Sequence, residues 1–183
     1  MTQHSMRVAG TFWALDYDLS RRRHFPSINW TRSYTLYRLR EWYQATVGQD
    51  WGDMTGEAMA LLQREAELLE IVQLVGPDAL AETQREVLAA ARILREDFLQ
   101  QSAYAETDRF CPVTKAYRML RAILAFHRRA VTAVGAGVAL DQIMALPVVA
   151  EVARMREWVP EAVAEESSVL IRKIEAGFAD LHA

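Results

Sequence analysis

The feature that most constrains the fold is a pair of long helical patterns separated by Gly76-Pro77. Apolar residues recur at three- and four-residue spacing along the first: Met54, Ala58, Leu61, Leu62, Leu68, Ile71, Val72 and Val75. This spacing predicts a helix over residues 53–74 that buries one stripe and exposes Gln63, Arg64 and Glu67. A second set follows the glycine and proline, which end a helix: Val87, Leu88, Ala91, Leu94 and Phe98. It predicts a helix over residues 81–100, and the two helices form an antiparallel hairpin.

The start of the second hairpin helix has competing candidates. Thr83 and Glu86 have the spacing of a capping box, in which each residue binds the other's backbone amide. Asp78 and Ala81 compete for the cap position, so the boundary is open by a few residues.

Helical patterns continue through most of the remaining chain. Pro112 suits the first turn of a third long helix that ends at Gly135 or Gly137. Its apolar positions are Tyr117, Leu120, Leu124 and Val131. Shorter helices are predicted over residues 141–145 and 148–158, and a last long one over residues 161–181. The chain is therefore predicted to be mainly α, a helical bundle with a long hairpin.

The amino-terminal part lacks this periodicity. Residues 7–15 mix β-branched, aromatic and small residues, which favours the end of a buried strand. Asp16 can cap a short helix over residues 17–23, which must end before Phe25-Pro26 because proline disfavours helical geometry in the preceding residue. Residues 24–35 are predicted to be irregular, and helical periodicity begins at Leu39. The sequence thus predicts two units, a strand-helix tail over residues 1–35 and a helical domain over residues 36–183.

Composition excludes several classes of function. The 183 residues carry a net charge of −3, which gives no general attraction for nucleic acid, and Arg21 to Arg23 form the only basic run. The longest apolar stretch, residues 130–140, is about half the roughly 20 residues of a membrane span. The residues Met1 to Ser5 do not resemble a secretory signal, and a single cysteine, Cys111, fits a reducing compartment. We therefore expect a cytoplasmic protein without membrane insertion.

The chain also lacks local catalytic and metal-binding motifs. Neither lysine, Lys115 or Lys173, follows a glycine as a phosphate-binding loop requires. The single cysteine and four scattered histidines (His4, His24, His127 and His182) make a metal site improbable, and no local motif indicates a catalytic nucleophile. We expect the following carboxylates to be surface residues paired with arginine: Glu65, Glu67, Glu70, Glu96 and Asp97.

Four strings resemble one family in its own order and spacing. They are GTFWALD at residues 10–16, RRHFPSINW at 22–30, EIVQLVGPDAL at 70–80 and REDFLQQ at 95–101. The family is the catalytic A subunit of V-type and archaeal A-type rotary ATPases, and the chain resembles its carboxy-terminal part. In that family the phosphate-binding loop, the catalytic glutamate and the magnesium-holding residues precede these strings. The resemblance implies that residues 1–35 end the central nucleotide-binding domain, and that this chain by itself does not hydrolyse ATP.

The resemblance also implies an adenine-binding wall. Phe25 occupies the aromatic position that lies against the base in the family. The opposite wall corresponds to Gln101, Ala103 and Tyr104, while Ser102 replaces the usual asparagine. The implied ligands are ATP and ADP, with Mg²⁺ held by regions of the protein outside this chain, so tight binding by this chain alone is not expected.

The hairpin turn resembles the tip by which catalytic subunits of rotary ATPases push the rotor. The implied rotor contacts are Gly76, Pro77, Asp78, Ala79, Leu80 and Glu82. Only two of these are acidic, which favours steric over charge-steered contact. The implied partners are the non-catalytic B subunits and the central stalk, and the implied activity couples ATP hydrolysis or synthesis to proton or sodium transport at the membrane periphery. The alternative is a free-standing helical interaction module derived from such a protein.

Overall fold

The computed structural model describes residues 8–181. The elements in chain order are β1 (Thr11–Phe12), α1 (Tyr17–Arg21), β2 (Tyr34–Thr35), α2 (Arg40–Thr46), α3 (Trp51–Val75), α4 (Glu82–Ile93), α5 (Glu106–Arg109), α6 (Val113–Gly135), α7 (Leu140–Met144), α8 (Pro147–Ala153) and α9 (Val163–Asp180). The predicted mainly α bundle is confirmed. The predictions for Met1 to Ser5, which include His4, and those for Arg7 and His182 lie outside the described residues.

The predicted hairpin consists of α3 and α4. Gly76 ends α3 with a φ of 86°, a backbone conformation that favours glycine, and a 3₁₀ turn at Pro77–Ala79 follows. Ala81 takes the cap position of α4, and its backbone N–H donates to the Gln84 side chain at 3.0 Å. A π-helical turn at Leu94–Leu99 continues α4, so the second arm is helical from residue 82 to residue 99.

The helix α6 lies at the centre of the core and packs against α3, α4 and α9. Its buried apolar face comprises Met119, Leu120, Ala122, Ile123, Leu124, Phe126, Ala130, Ala133 and Val134. Pro112 caps this helix, and Gly135 ends it, as predicted to within a residue. Val131, which was predicted to face the core, is 49% exposed. Burial of this apolar face supplies most of the stabilisation of the bundle.

The amino-terminal segment is only partly as predicted. The predicted strand is reduced to β1, which pairs antiparallel with β2 in the register Thr11 to Thr35 and Phe12 to Tyr34. The strand β2 lies in a stretch that was predicted to be irregular, because its partner is more than twenty residues away and gives no local signal. Asp16 caps α1 as predicted, accepting from the N–H groups of Asp18 and Leu19 at 2.9 and 3.1 Å.

Candidate functional site

The two segments predicted to form the adenine wall meet through their backbones. The N–H of Gln101 donates to the carbonyl oxygen of Phe25 at 2.6 Å. The Phe25 side chain is 50% exposed and the Phe25-Pro26 peptide bond is cis. The structure therefore places Phe25 and Gln101 side by side, although 76 positions separate them in the chain (101 − 25).

A buried carboxylate shapes the loop that carries Gln101. Asp108 is 4% exposed, and its Oδ2 accepts the N–H of Ser102 at 2.6 Å while its carbonyl oxygen accepts the Gln101 side-chain amide at 3.0 Å. Beyond these contacts Ala103 is exposed, and Tyr104 is 99% exposed. The structure thus brings Phe25 and Gln101 together and leaves the Tyr104 ring in solvent.

Lys115 contacts the same loop from its buried side, and it is 1% exposed. Its Nζ donates to the carbonyl oxygens of Thr107 and Arg156, both at 2.7 Å. Burial lowers the pKa of Lys115, while Cys111 and Asp108 act in the opposite direction. Sequence reasoning missed this lysine, although Lys115, Met119 and Ala122 share the spacing of one buried helix face.

A polar cluster joins the amino-terminal segment to the hairpin. His24 is 6% exposed, and its Nε2 lies 3.1 Å from the carbonyl oxygen of Arg95, at the start of the π-helical turn. The Arg95 guanidinium forms an ion pair with Glu65 of α3. Glu65 was predicted to be a surface residue, and this was wrong, because its side chain is only 7% exposed. The spacing of Leu61, Glu65 and Leu68 already puts it on the buried stripe.

A cavity of about 350 Å³ lies beside this cluster. Its lining residues are Leu19, Arg22, His24, Arg95, Glu96, Asp97, Gln100 and Arg156. Burial raises the pKa of Asp97, although the Arg156 guanidinium at 3.4 Å opposes the shift. The junction between the two parts of the chain is therefore lined by charged groups rather than by a dry apolar core.

The residues at the hairpin tip that the resemblance implies as rotor contacts differ from one another in exposure. Pro77, Asp78 and Ala79 are exposed, whereas Leu80 is 7% exposed and belongs to the core. Glu82 accepts the N–H of Leu140 at 3.2 Å and pairs with Arg85 at 2.9 Å.

The apolar stripe of α3 was also predicted to stay buried up to the tip. That was wrong for Ile71 and Val75, which are 40% and 62% exposed, and Leu74 beside them is 85% exposed. The last turn of α3 extends past the residues it could pack against, so the accessible tip includes Leu74 and Val75.

None of the helices among residues 8–181 combines the length and apolar character that crossing a bilayer requires.

Residues 40–144 match the family model described as the C-terminal domain of V and A type ATP synthase. The chain belongs to this family. The matched residues run from α2 to α7 and include the hairpin, Gln101, Asp108 and Lys115. Phe25 and His24 precede the match.

Relatives extend the similarity over nearly the whole chain. The A subunit of the A-type ATP synthase of Methanopyrus kandleri is 48% identical over 183 residues, which is 99% of this chain and 31% of the relative. The corresponding protein of Thermococcus sibiricus is also 48% identical, with the same coverage of both chains. The second A-type ATP synthase A subunit of Methanospirillum hungatei is 50% identical over 159 residues, 86% of this chain and 27% of the relative. The chain thus spans about a third of the length of the first of these relatives and corresponds to the carboxy-terminal part of the A subunit.

Proposed function

We propose that this chain supplies the adenine-side wall and the rotor-contacting hairpin of the catalytic subunit of a V/A-type ATP synthase. In this role Phe25, Gln101, Ala103 and Tyr104 border the base. The holoenzyme couples ATP hydrolysis or synthesis to proton or sodium transport, and this part of it lies at the cytoplasmic periphery of the membrane. Residues 1–35 are the end of the nucleotide-binding domain, and residues 36–183 are the helical domain.

The observation that best supports the adenine wall is the hydrogen bond between the Phe25 carbonyl and the Gln101 amide. The family resemblance assigned these two residues to one pocket from sequence alone, and they are in contact in the fold. An aromatic face that is half exposed can stack on a base, which contributes about 1–3 kcal/mol per base. Stacking of this size does not distinguish one base from another strongly.

Tight binding needs phosphate and magnesium contacts, and within residues 8–181 neither lysine is available for contacts with phosphate. The lysines are Lys115, which is buried on two carbonyl oxygens, and Lys173, which pairs with Glu151. The phosphates and Mg²⁺ are therefore assigned to the preceding part of the full-length protein. This chain alone is expected to bind ATP weakly and not to hydrolyse it.

The proposal that the hairpin contacts the rotor rests on the shape and exposure of the hairpin. Both arms pack on α6, while Leu74, Val75, Pro77, Asp78 and Ala79 remain accessible at the tip. A rigid helical pair moves its tip when its base turns, and contact at the end is enough to push a neighbour. Central-stalk subunits are the proposed neighbour at the tip, and non-catalytic B subunits are the proposed neighbours within the ring.

The adenine wall is tested by Phe25→Ala in the full-length protein, in complex with its B subunits. Loss of about 1–3 kcal/mol of stacking raises the ATP dissociation constant roughly 5- to 150-fold. Equilibrium titration of the assembled complex measures this change. The control is Trp42→Ala, which removes another half-exposed aromatic side chain (54% exposed) outside the proposed wall. Equal dissociation constants for the wild type and Phe25→Ala would remove Phe25 from the nucleotide site.

The rotor contact is tested separately by cysteine cross-linking in a Cys111→Ser background. Ala79→Cys places a thiol on the exposed tip, and we expect it to form a cross-link to the central stalk. Ala164→Cys, at an exposed alanine of α9, should not. Cross-links from Ala164→Cys alone would exclude the tip as the contact.

A further inference from the structure

The buried ion pair between Glu65 and Arg95 connects the two regions proposed above to carry function. Glu65 lies in α3, the first arm of the hairpin, ten positions before the tip residue Val75 (75 − 65). Arg95 lies in the π-helical turn that leads from α4 to Gln100 and Gln101. The side chains are 7% and 17% exposed. A charge pair shielded from solvent to this degree holds its geometry more strictly than a surface pair, because separating it would leave a buried charge unpaired.

The backbone carbonyl of Arg95 contacts the residues next to the proposed adenine wall. Its carbonyl oxygen lies 3.1 Å from Nε2 of His24 and accepts the N–H of Gln100 at 3.0 Å. His24 precedes Phe25, and Gln100 precedes Gln101. Arg95 thus contacts α3, the first arm of the hairpin, through its side chain, and contacts the neighbours of Phe25 and Gln101 through its backbone carbonyl.

The cavity beside Arg95 leaves room for movement at this junction. A cavity of about 350 Å³ lies beside the contact between His24 and the π-helical turn, whereas the interior around Leu120, Ile123 and Leu124 is fully buried. Close-packed interiors shift as rigid bodies, and displacements occur where packing is incomplete. The cavity therefore gives His24 and the π-helical turn room to shift together while Glu65 and Arg95 stay joined.

We propose that Glu65 and Arg95 are positioning residues that transmit hairpin movement to the adenine wall at Phe25 and Gln101. This inference rests on the proposed function. Contact of the rotor with the tip displaces α3, Glu65 carries Arg95 with it, and the Arg95 carbonyl shifts His24 and Gln100. Neither side chain touches the nucleotide. The ion pair thus determines how strongly contact between the rotor and the hairpin tip changes the affinity of the pocket for nucleotide.

The test measures ATP dissociation constants of the assembled catalytic ring with and without the central-stalk subunits. The ratio of the two constants is the coupling between tip and pocket. Glu65→Gln is expected to reduce that ratio at least fivefold, and to leave the constant without the stalk within twofold of wild type. The matched control is Glu57→Gln, because Glu57 also joins α3 to another helix through an arginine, Arg128 of α6. Glu57→Gln should keep the wild-type ratio.

A second variant separates coupling from folding. Glu65→Leu with Arg95→Met replaces the pair by apolar side chains, a change that is often tolerated or even stabilising when both partners are replaced together. It should melt near the wild-type temperature and still lose the coupling. A coupling ratio equal to wild type in either the single or the double variant would overturn the inference.

The outcomes also distinguish the inference from the proposed function. A wild-type ring whose ATP affinity does not respond to the stalk would overturn the inference, whereas the adenine wall and the rotor contact are decided by the Phe25→Ala and Ala79→Cys experiments. A responsive wild type, with Phe25→Ala weakened in ATP binding and Glu65→Gln normal in coupling, would overturn only the positioning role of the pair.

Discussion

The amino-terminal segment, residues 8–39, and the bundle, residues 51–181, are held together by different forces. In the described part of the segment, Leu19 is the buried apolar residue, at 9% exposure, while Trp13, Leu15 and Tyr17 are 68%, 83% and 76% exposed. The bundle buries a continuous apolar core centred on α6. The bundle is stabilised by its own apolar burial, whereas the segment is held by polar contacts and by Trp30, which packs against the bundle core.

Polar contacts in the segment converge on two side chains. Asp16 caps α1 and accepts the side-chain amide of Asn29 at 2.8 Å. Asn29 Oδ1 in turn accepts the backbone N–H groups of Thr31 and Arg32 at 3.1 and 2.9 Å. These bonds fix a segment that leaves most of its apolar surface exposed. Their net contribution per bond is modest, because each replaces a bond to water.

The largest expected effect is a difference in the free energy of unfolding between two variants, each with one leucine truncated to alanine, one in the bundle and one in the segment. Leu124→Ala in α6, at 0% exposure, should lower the free energy of unfolding by about 2–5 kcal/mol, because it removes buried methyl groups and leaves a cavity. Leu36→Ala, at 64% exposure, should change it by no more than about 0.5 kcal/mol. Urea unfolding of both variants measures the two values. Similar losses for the two would contradict the division into an apolar and a polar region.

A smaller and local effect is expected for Asp16→Ala. Loss of a helix cap lowers the free energy of unfolding by about 0.5–2 kcal/mol. In this segment it also removes the acceptor of the Asn29 side-chain amide. Amide hydrogen exchange should speed up around residues 14–33 and stay unchanged in α6. Asp18→Ala is the control, because that neighbouring carboxylate does not cap α1. Faster exchange throughout α6 would mean that the segment and the bundle unfold together.

The same carboxylate gives the segment a pH dependence. The hydrogen bond from the Leu19 N–H, followed by that from Asn29, lowers the pKa of Asp16. A lowered folded-state pKa stabilises the folded form above the ordinary aspartate pKa of about 3.9, and this stabilisation is lost as the pH falls through the folded-state value. Amide hydrogen exchange in the segment should therefore become faster, relative to the bundle, as the pH falls into the acid range. The increase should be smaller in Asp16→Asn, which has no carboxyl group to protonate at this position.

The smallest effect is expected at the junction of the two regions. Burial raises the pKa of Asp97, so the folded state binds its proton more readily than the unfolded state does. From about pH 3.9 upward this contribution to stability falls as the pH rises, and it is absent in Asp97→Asn. Unfolding of the wild type relative to Asp97→Asn should thus become easier as the pH rises above about 3.9, until the carboxyl is deprotonated in the folded state as well.

Sequence patterns predicted the hairpin, its Gly76 turn and the long central helix, because helical spacing and helix ends are local signals. The same patterns gave the wrong exposure for individual residues whose burial depends on contacts with distant parts of the chain. Ile71 and Val75 continue the apolar stripe of α3 but extend past the core, and Glu65 lies on the stripe but is paired with Arg95. The strand β2 was missed because a two-residue ladder has its partner far away in the chain.

The sequence by itself determined the helical arms, the turn between them and the family, since each depends on the order of neighbouring residues. Only the tertiary structure decided that the Gln101 N–H donates to the Phe25 carbonyl, that Asp108 and Lys115 support the same loop, and that Glu65 of α3 pairs with Arg95, whose carbonyl contacts His24. These contacts link residues distant in the chain. Their partners are selected by the packing of the bundle, because a buried charge or amide must find whichever polar group the fold brings within reach.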